Sequence, residues 1–220
     1  MFPLCRFSYI FAWNMEFNQK QNLIIKIGEV IMTYGARSVN MDDIAKHLSI
    51  SKKTLYKHFK DKSEIINEIV ILHMHMEDVM ISSIVVNSVN AIDEMIQISQ
   101  FVNEKLKKMH PSVMFDLQKY YPESYQIFEK HKEEISKCII LNLKRGIEEG
   151  LYRSNQNPEV ITTLYLASIE NIWDTEKFPP TKYSFSQIHT ELIRYHVRGI
   201  ASEKGIVYLQ ERIKKELLNL

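Results

Sequence analysis

Apolar residues recur at intervals of three and four along most of this chain, and this spacing constrains its fold more than any other feature. One such helical face, ending at Gly35, carries Ile24, Ile27, Ile31 and Tyr34. Only six glycines and six prolines interrupt 220 residues, which is too few for the frequent turns of an all-β protein. The sequence therefore predicts an all-α fold.

Composition narrows the class of protein further. The apolar fraction is 45% and the charged fraction 25%, which is typical of a globular protein rather than a disordered, fibrous or membrane protein. The opening segment, residues 1–14, is apolar, but Arg6 interrupts it and it is too short to span a bilayer. We expect residues 1–17 to be an extension that is disordered or arises from the choice of an upstream start site.

No pattern typical of a catalytic, cofactor or metal site is present. The six glycines form no GxGxxG, P-loop or GxSxG motif, and no HExxH wording occurs, so we predict neither an enzyme nor a cofactor. Cys5 and Cys138 lack metal-ligand spacing, and a reducing cytoplasm is the expected compartment. His73 and His75 point about 200° apart on a helix, so no metal site is predicted.

Helix signals near the N-terminus predict a compact three-helix head. The first helix runs from Asn18 to Tyr34, the second follows the cap Asn40 and ends near Leu48, and the third follows the cap Ser51 and ends at Lys57 or His58. Asp61 and Glu64 have the spacing of a capping box for a long fourth helix that ends near Val86.

Proline, glycine and asparagine also divide the remainder of the chain into helices. Pro111 and Pro122 suit first helical turns, Gly150 ends a helix, and the pair Pro179-Pro180 forces a linker. The predicted helices span 90–109, 111–120, 122–150, 158–173, 185–201 and 206–219.

Charge is concentrated around the third helix. Six lysines but only one acid, Asp61, lie between Lys46 and Lys62. The third helix opens with Ser51-Lys52-Lys53, although cations are unfavourable at the positive end of a helix dipole. Either these lysines form a solvated face of an ordinary helical hairpin, or an external phosphate supplies the missing anion.

The amino-acid sequence of this segment resembles the TetR family of bacterial regulators. The similar residues are Asp42-Asp43-Ile44-Ala45, the turn Leu48-Ser49-Ile50-Ser51, and Thr54 to Lys62. The resemblance implies a helix-turn-helix DNA-binding domain over 18–75 and a larger helical domain for ligand sensing and dimerisation over 76–220. Ser49 replaces a glycine that many members carry, so the operator preference does not transfer.

Weaker resemblance persists beyond residue 75 and supports the same fold to the C-terminus. The similar segments are His110-Pro111, Leu117 to Tyr120, Arg145 to Gly150, and Arg198 to Ile200.

The resemblance assigns residues to three kinds of site. DNA contacts are expected from Asn40, Met41, Lys52, Lys53, Thr54, Tyr56, Lys57, His58, Lys60 and Lys62. Asn40 serves equally as a cap, and His58 fits packing as well as backbone contact, whereas the spacing of Leu55 and Phe59 predicts core positions. A homodimer interface is expected on the apolar stripes Val160, Leu164, Ala167, Ile188, Leu192, Tyr195 and Gly199. These stripes would otherwise face the core of their own chain.

A pocket for a small-molecule effector is expected in the larger domain. Its candidate lining residues are Met109, Phe115, Tyr120, Tyr121, Phe128, Ile169 and Trp173, which suit an apolar or aromatic ligand but equally suit an ordinary core. The expected function is a cytoplasmic, ligand-responsive repressor that binds a pseudo-palindromic operator as a dimer, with no membrane partner. The alternative is a helical dimeric ligand-binding or interaction protein that has lost DNA binding.

Overall fold

The computed structural model describes residues 19–216, and within that range the chain is almost entirely α-helical. The helices are α1 Gln19–Tyr34, α2 Met41–His47, α3 Lys52–His58, α4 Lys62–Asn87, α5 Ala91–Lys107, α6 Val113–Tyr120, α7 Pro122–Glu148, α8 Pro158–Glu170, α9 Phe185–Ile200 and α10 Glu203–Glu216. A short 3-10 turn, Asn171–Trp173, follows α8. The all-α prediction is confirmed. The sequence placed residues 1–17 in an extension, which lies outside the described residues.

The chain forms two compact units. Among the described residues, the head unit contains 19–79 and Lys108–Lys132, and the second unit contains Met80–Lys107 and 133–216. Helices α4 and α7 each run through a boundary between units without a break. The sequence-based division at residue 75 does not include α6 in the head, although Leu117 of α6 is buried in the head core.

An apolar core holds the head unit together. Ile27, Ile44, Leu55 and Ile65 are completely buried in it and come from α1, α2, α3 and α4, respectively. Burial of each such side chain stabilises the fold by about 1.5–3 kcal/mol. The core therefore fixes α1, α2 and α3 against the first turns of α4. None of these three helices would be stable in isolation.

Two glycines in the wording Arg145 to Gly150 have clear structural roles in the second unit. A Cβ atom on Gly146 would lie 2.1 Å from the ring of Tyr152, so only glycine leaves room for this buried tyrosine. Gly150 ends the helical run with a φ of +69°, a conformation that glycine adopts without strain. The chain then turns back, and Tyr152 pairs with Ala201 in an isolated β-bridge.

Most helix bounds agree with those predicted, and two starts differ. Pro111 precedes α6 rather than lying in its first turn, and α6 begins at Val113. The last helix begins at Glu203, three residues before the predicted start at 206, because the Ser202 hydroxyl accepts a hydrogen bond from Gly205 N and caps it. Position 205 requires glycine although it lies inside the helix, because the Leu151 carbonyl oxygen would lie 2.0 Å from any Cβ atom there.

Within the described range, one helix, α4, has the length and apolar composition of a membrane span. Its Ile65, Ile66, Ile69 and Leu72 are buried in the head core. Core helices of soluble proteins meet the same criterion, so this finding is weak evidence for a membrane segment.

Candidate nucleic-acid interface

Side-chain caps set the start of α2. The Asn40 Oδ1 atom accepts hydrogen bonds from Asp42 N at 2.8 Å and Asp43 N at 3.0 Å. The Asp43 carboxylate in turn accepts from Asn40 N at 2.9 Å, which completes a capping box. The next residue, Met41, is 8% exposed and packs in the head core. Asn40 is therefore a cap, and any DNA contact by Met41 would have to come from its backbone N–H.

The turn between α2 and α3 requires an unusual backbone conformation. Ser49 has a φ of +54°, and it is the only non-glycine residue with a positive φ among residues 19–216. This left-handed conformation explains why glycine is common there in the family that the sequence resembles. Ser51 then caps α3, since its Oγ atom accepts a hydrogen bond from Thr54 N at 3.0 Å.

The two faces of α3 differ sharply in burial. Leu55 is completely buried and Phe59, just after the helix, is 1% exposed, so both predicted core positions agree with the structure. On the opposite side, Lys53 and Lys57 are exposed and the Tyr56 side chain is 49% exposed. A rigid apolar face thus presents a cationic and aromatic face to solvent.

Three of the predicted contact lysines have no internal ionic partner. Lys53, Lys57 and Lys60 are exposed, and none of them forms an ion pair with any other residue in the described range. Unpaired lysines keep their charge available for phosphates, which supply most of the affinity of DNA-binding surfaces.

Lys52 differs from these three lysines. Its Nζ atom lies 2.9 Å from Asp42 Oδ2, so an ion pair joins the first turn of α2 to the first turn of α3. The hydrogen bond that Lys52 donates to the Asp42 carboxylate raises the pKa of Lys52 above its ordinary value. One of the two sequence-based interpretations took the missing anion of α3 to be an external phosphate, but for Lys52 a carboxylate of α2 provides it.

Lys62 is also engaged inside the protein. Its Nζ atom donates to the carbonyl oxygen of Arg37 at 3.4 Å and lies 5.8 Å from the centre of the Tyr121 ring. Burial lowers the pKa of this lysine below its ordinary value. Of the remaining predicted contact residues, Thr54 is partly buried, and His58 is partly buried with its ring 6.3 Å from that of Phe59.

A polar link between the α1–α2 loop and α6 was not foreseen from the sequence. Asp116, which is 5% exposed, accepts hydrogen bonds from Arg37 N at 2.9 Å and from the Ser112 hydroxyl at 3.0 Å. The Arg37 guanidinium lies 4.3 Å from the centre of the Tyr120 ring and donates to the Tyr120 hydroxyl. This link connects α6 to the α1–α2 loop within the head unit. No local sequence pattern predicts the link.

The predicted dimerisation residues lie on the outer side of α8 and α9. Tyr195 is 82% exposed, Leu164 60% and Val160 54%, while the opposite side of α9 buries Ile193 and Val197. Ala167 and Gly199 are exposed, and Ile188 and Leu192 are half-buried. A Cβ atom on Gly199 would meet nothing within 4 Å. The second unit therefore exposes several apolar side chains of α8 and α9 to solvent.

The predicted effector-pocket residues are divided between the two units. Met109, Phe115, Tyr120, Tyr121 and Phe128 belong to the head unit, where Tyr121 packs against the head core. Ile169 and Trp173 belong to the second unit, where the Trp173 ring meets that of Phe185 edge-on at 4.9 Å.

The second unit also has a surface groove of about 880 Å³, which none of the predicted pocket residues lines. Its apolar side is formed by Ile147, Ile206 and Val207, and its polar side includes Arg153 and Gln210.

Comparisons with known proteins agree with this geometry. The family model described as bacterial regulatory proteins, tetR family, matches residues 28–69, which include both helices of the helix-turn-helix. The HTH-type transcriptional regulator YvaF of Bacillus subtilis (strain 168) is 24% identical over 171 residues, which are 76% of this chain and 88% of that protein.

Two solved structures show the same fold over most of the chain. One is the transcriptional regulator FadR from Bacillus subtilis in complex with stearoyl-CoA, at 19% identity, a TM-score of 0.61, and coverage of 81% of this chain and 97% of that one. The other is a transcriptional regulator from Saccharomonospora viridis in complex with choline, at 15% identity, a TM-score of 0.69, and coverage of 84% and 98%. The α2–turn–α3 geometry, its exposed lysines and the family match over residues 28–69 lead to one conclusion: this part of the chain is a TetR-type helix-turn-helix, and the chain is similar to DNA-binding transcriptional regulators of the TetR family.

Proposed function

We propose that this protein is a cytoplasmic repressor that binds a pseudo-palindromic operator as a homodimer and releases it when a small molecule binds. The observation that carries the proposal is the exposed face of α3, where Lys53, Tyr56 and Lys57 surround a helix fixed by buried Leu55. In a helix-turn-helix protein the second helix enters the major groove, and a two-fold dimer spaces two such helices roughly 34–36 Å apart.

The contact residues divide into two roles. Lys52, Lys53 and Thr54 lie at the start of α3 and are proposed to face base edges, which determine sequence preference. Tyr56, Lys57 and Lys60 are proposed to contact phosphates, which set register and affinity. Lys62, which is partly buried, is proposed to attract the DNA backbone through its charge. His58 is proposed to contact the DNA backbone at the edge of the same surface.

Operator binding can be tested with a salt series. An operator is first selected by the wild-type protein from random duplex DNA, and the upstream DNA of its own gene is tested beside it. We expect tight wild-type binding with a steep salt dependence, and loss of that binding in the Tyr56→Ala, Lys57→Ala double variant. A folded wild-type protein that selects no sequence would instead support an interaction protein that no longer reads DNA.

The dimer is proposed to form through the apolar face of α8 and α9. Tyr195, Leu164 and Val160 are all more than half exposed, and large contiguous apolar patches are rare on monomeric proteins. Tyr195 is the most exposed of the three.

Sedimentation of a matched pair of variants tests this interface. Tyr195→Glu should convert the dimer to a monomer, because dimerisation would bury a charge without a partner. Val89→Glu is the control, since Val89 is 80% exposed in the second unit but lies outside this face. If both variants, or neither, dissociate, the face is not the interface.

The effector is proposed to be an apolar or aromatic small molecule bound among the helices after α4. Stearoyl-CoA, bound by FadR, has a long apolar chain, whereas choline, bound by the Saccharomonospora viridis protein, is a small cation. Because α4 runs unbroken from the head unit into the second unit, it is the proposed lever that changes the spacing of the two heads.

Release of the labelled operator identifies effectors among candidate compounds. A compound that raises the thermal stability of the protein should also lower operator affinity at constant salt. A compound that binds tightly yet leaves operator affinity unchanged would argue against this coupling.

A further inference from the structure

Asp42 is an acidic residue on the cationic surface, and it pairs with a lysine of α3. Its neighbour Asp43 has its carboxylate engaged in the capping box of α2, whereas the Asp42 carboxylate extends to Lys52 on α3 at 2.9 Å. Both partners of this pair are exposed, with side-chain exposures of 68% for Asp42 and 47% for Lys52. The carboxylate therefore lies on the same surface as the lysines that are available for DNA.

Lys52 and Lys53 provide a comparison within a single helix turn. Both open α3, where a cation is unfavourable to the helix dipole, and both are exposed. In the described part of the chain, Lys52 has a carboxylate partner and Lys53 has none. Two adjacent lysines thus differ in how freely they can meet a phosphate.

Restraint of one lysine affects the two kinds of DNA binding unequally. Non-specific binding comes almost entirely from phosphate neutralisation, while specific binding adds contacts to base edges. A lysine held by a neighbouring carboxylate contributes less to phosphate binding, so non-specific affinity falls more than operator affinity.

We propose that Asp42 is a positioning residue that holds Lys52 away from the phosphate backbone and thereby increases discrimination between operator and random DNA. The inference rests on the sequence-specific operator binding proposed above. It deepens that proposal by assigning specificity to a residue of α2 that itself carries the wrong charge for a phosphate.

The experiment compares Asp42→Asn with wild type on the selected operator and on random duplex DNA, in a salt series. Asp42→Asn should raise affinity for random DNA by about three- to tenfold and steepen its salt dependence by about 0.9 for each recognition helix that gains a phosphate contact. Operator affinity should rise by less than about twofold, so the specificity ratio falls. Asp42→Glu, which keeps a carboxylate at this position, should retain the wild-type specificity ratio.

Two controls separate this role from simpler ones. Glu29→Gln removes an equal charge from an exposed position on α1 and should leave the specificity ratio unchanged, which a general effect of net charge would not do. Lys52→Ala should abolish the effect of Asp42→Asn, whereas Lys57→Ala should lower the salt dependence equally with and without Asp42.

The outcomes distinguish the two proposals. If the wild-type protein selects no operator, the proposed function fails, and this inference fails with it. If it binds an operator specifically but Asp42→Asn changes both affinities equally, or keeps its effect when Lys52 is alanine, only the positioning role of Asp42 is overturned.

Discussion

Helices α1–α3 bury only apolar side chains and glycine, whereas the second unit buries charged groups. In the second unit, Asp93 is 3% exposed and bonds to Tyr208 and Arg212, and Glu94 is 4% exposed and pairs with Arg145 at 3.1 Å. Burial raises the pKa of Glu94 above its ordinary value.

The difference shows what each region does with charge. A surface that meets phosphates needs lysines that are not neutralised internally, so helices α1–α3 are stabilised by apolar burial. The second unit has no such requirement near α5, and its charges connect α5, α7 and α10, whose partners are distant in the sequence. Buried charges tolerate no loss of a partner, because an unpaired one keeps its full desolvation penalty.

The largest expected effect comes from Leu55→Ala in the head core. Leu55 is completely buried, so truncation should lower the free energy of unfolding by about 3–4 kcal/mol through lost burial and a cavity. The adjacent Tyr56→Ala should leave stability nearly unchanged while weakening DNA binding. Urea unfolding with operator titration checks both variants, and equal destabilisation by the two would erase the distinction between the faces of α3.

A slightly smaller effect is expected from Arg145→Ala in the buried network. Removal of the guanidinium leaves Glu94 buried without its cation, which should destabilise the protein by about 3 kcal/mol. The control Lys107→Ala removes an exposed ion pair with Glu104 and should have little effect. If chemical denaturation finds the two variants alike, the network is not a source of stability.

Acid should destabilise the protein through two histidines of α9, His189, which is buried, and His196, which is half-buried. Burial lowers the pKa values of His189 and His196 from 6.5 to about 4 each. Between these values the unfolded chain binds more protons than the folded one, so stability is full above pH 6.5 and falls as the pH drops toward 4. Each histidine should cost about 2 kcal/mol at pH 5.

Denaturant midpoints at pH 7 and pH 5 measure this loss for the wild type and for His189→Gln. The His189 ring bonds to Asn103 at 2.9 Å, so the variant loses some stability at both pH values, and the informative quantity is the difference between them. That difference should shrink by about 2 kcal/mol in the variant. An unchanged difference would mean that His189 does not titrate on unfolding as described.

The smallest expected effect is a gain from Ser49→Gly in the turn of the helix-turn-helix. Ser49 adopts a φ of +54°, which costs a residue with a side chain about 1 kcal/mol relative to glycine. Thermal unfolding should show a rise of a few degrees, while Ser49→Ala should show none. A gain from alanine as large as that from glycine would point to loss of the hydroxyl rather than relief of backbone strain.

Local sequence patterns were sufficient for most of the fold. Within residues 19–216, apolar spacing predicted the right number and order of α-helices, and the caps Asn40 and Ser51 predicted the starts of α2 and α3. The capping box at α4 formed in altered register: Glu64 N donates to Asp61, but the Glu64 carboxylate accepts from Lys60 N. Local chemistry thus predicts a helix start more reliably than it predicts each partner.

The sequence proposes the candidate site as a set of residues, but it does not distinguish the environments of their side chains. The sequence treats Lys52, Lys53 and Lys62 alike, since each is a lysine in one basic segment. In the structure Lys52 is paired with Asp42, Lys53 is exposed, and Lys62 is partly buried beside Tyr121. Side-chain environment depends on neighbours from other helices, so no count of lysines distinguishes the three.

The sequence by itself determined the all-α class, the helix-turn-helix and its resemblance to the TetR family, because periodicity, caps and the α2–α3 motif depend on residues close together in the chain. Only the tertiary structure decided which charges are paired. Asp42 meets Lys52 across 10 residues, Arg37 meets Asp116 across 79, and Asp93 meets Arg212 across 119. Such pairs form where packing of distant helices brings two side chains within hydrogen-bond range, and that packing is a property of the whole core rather than of any local segment.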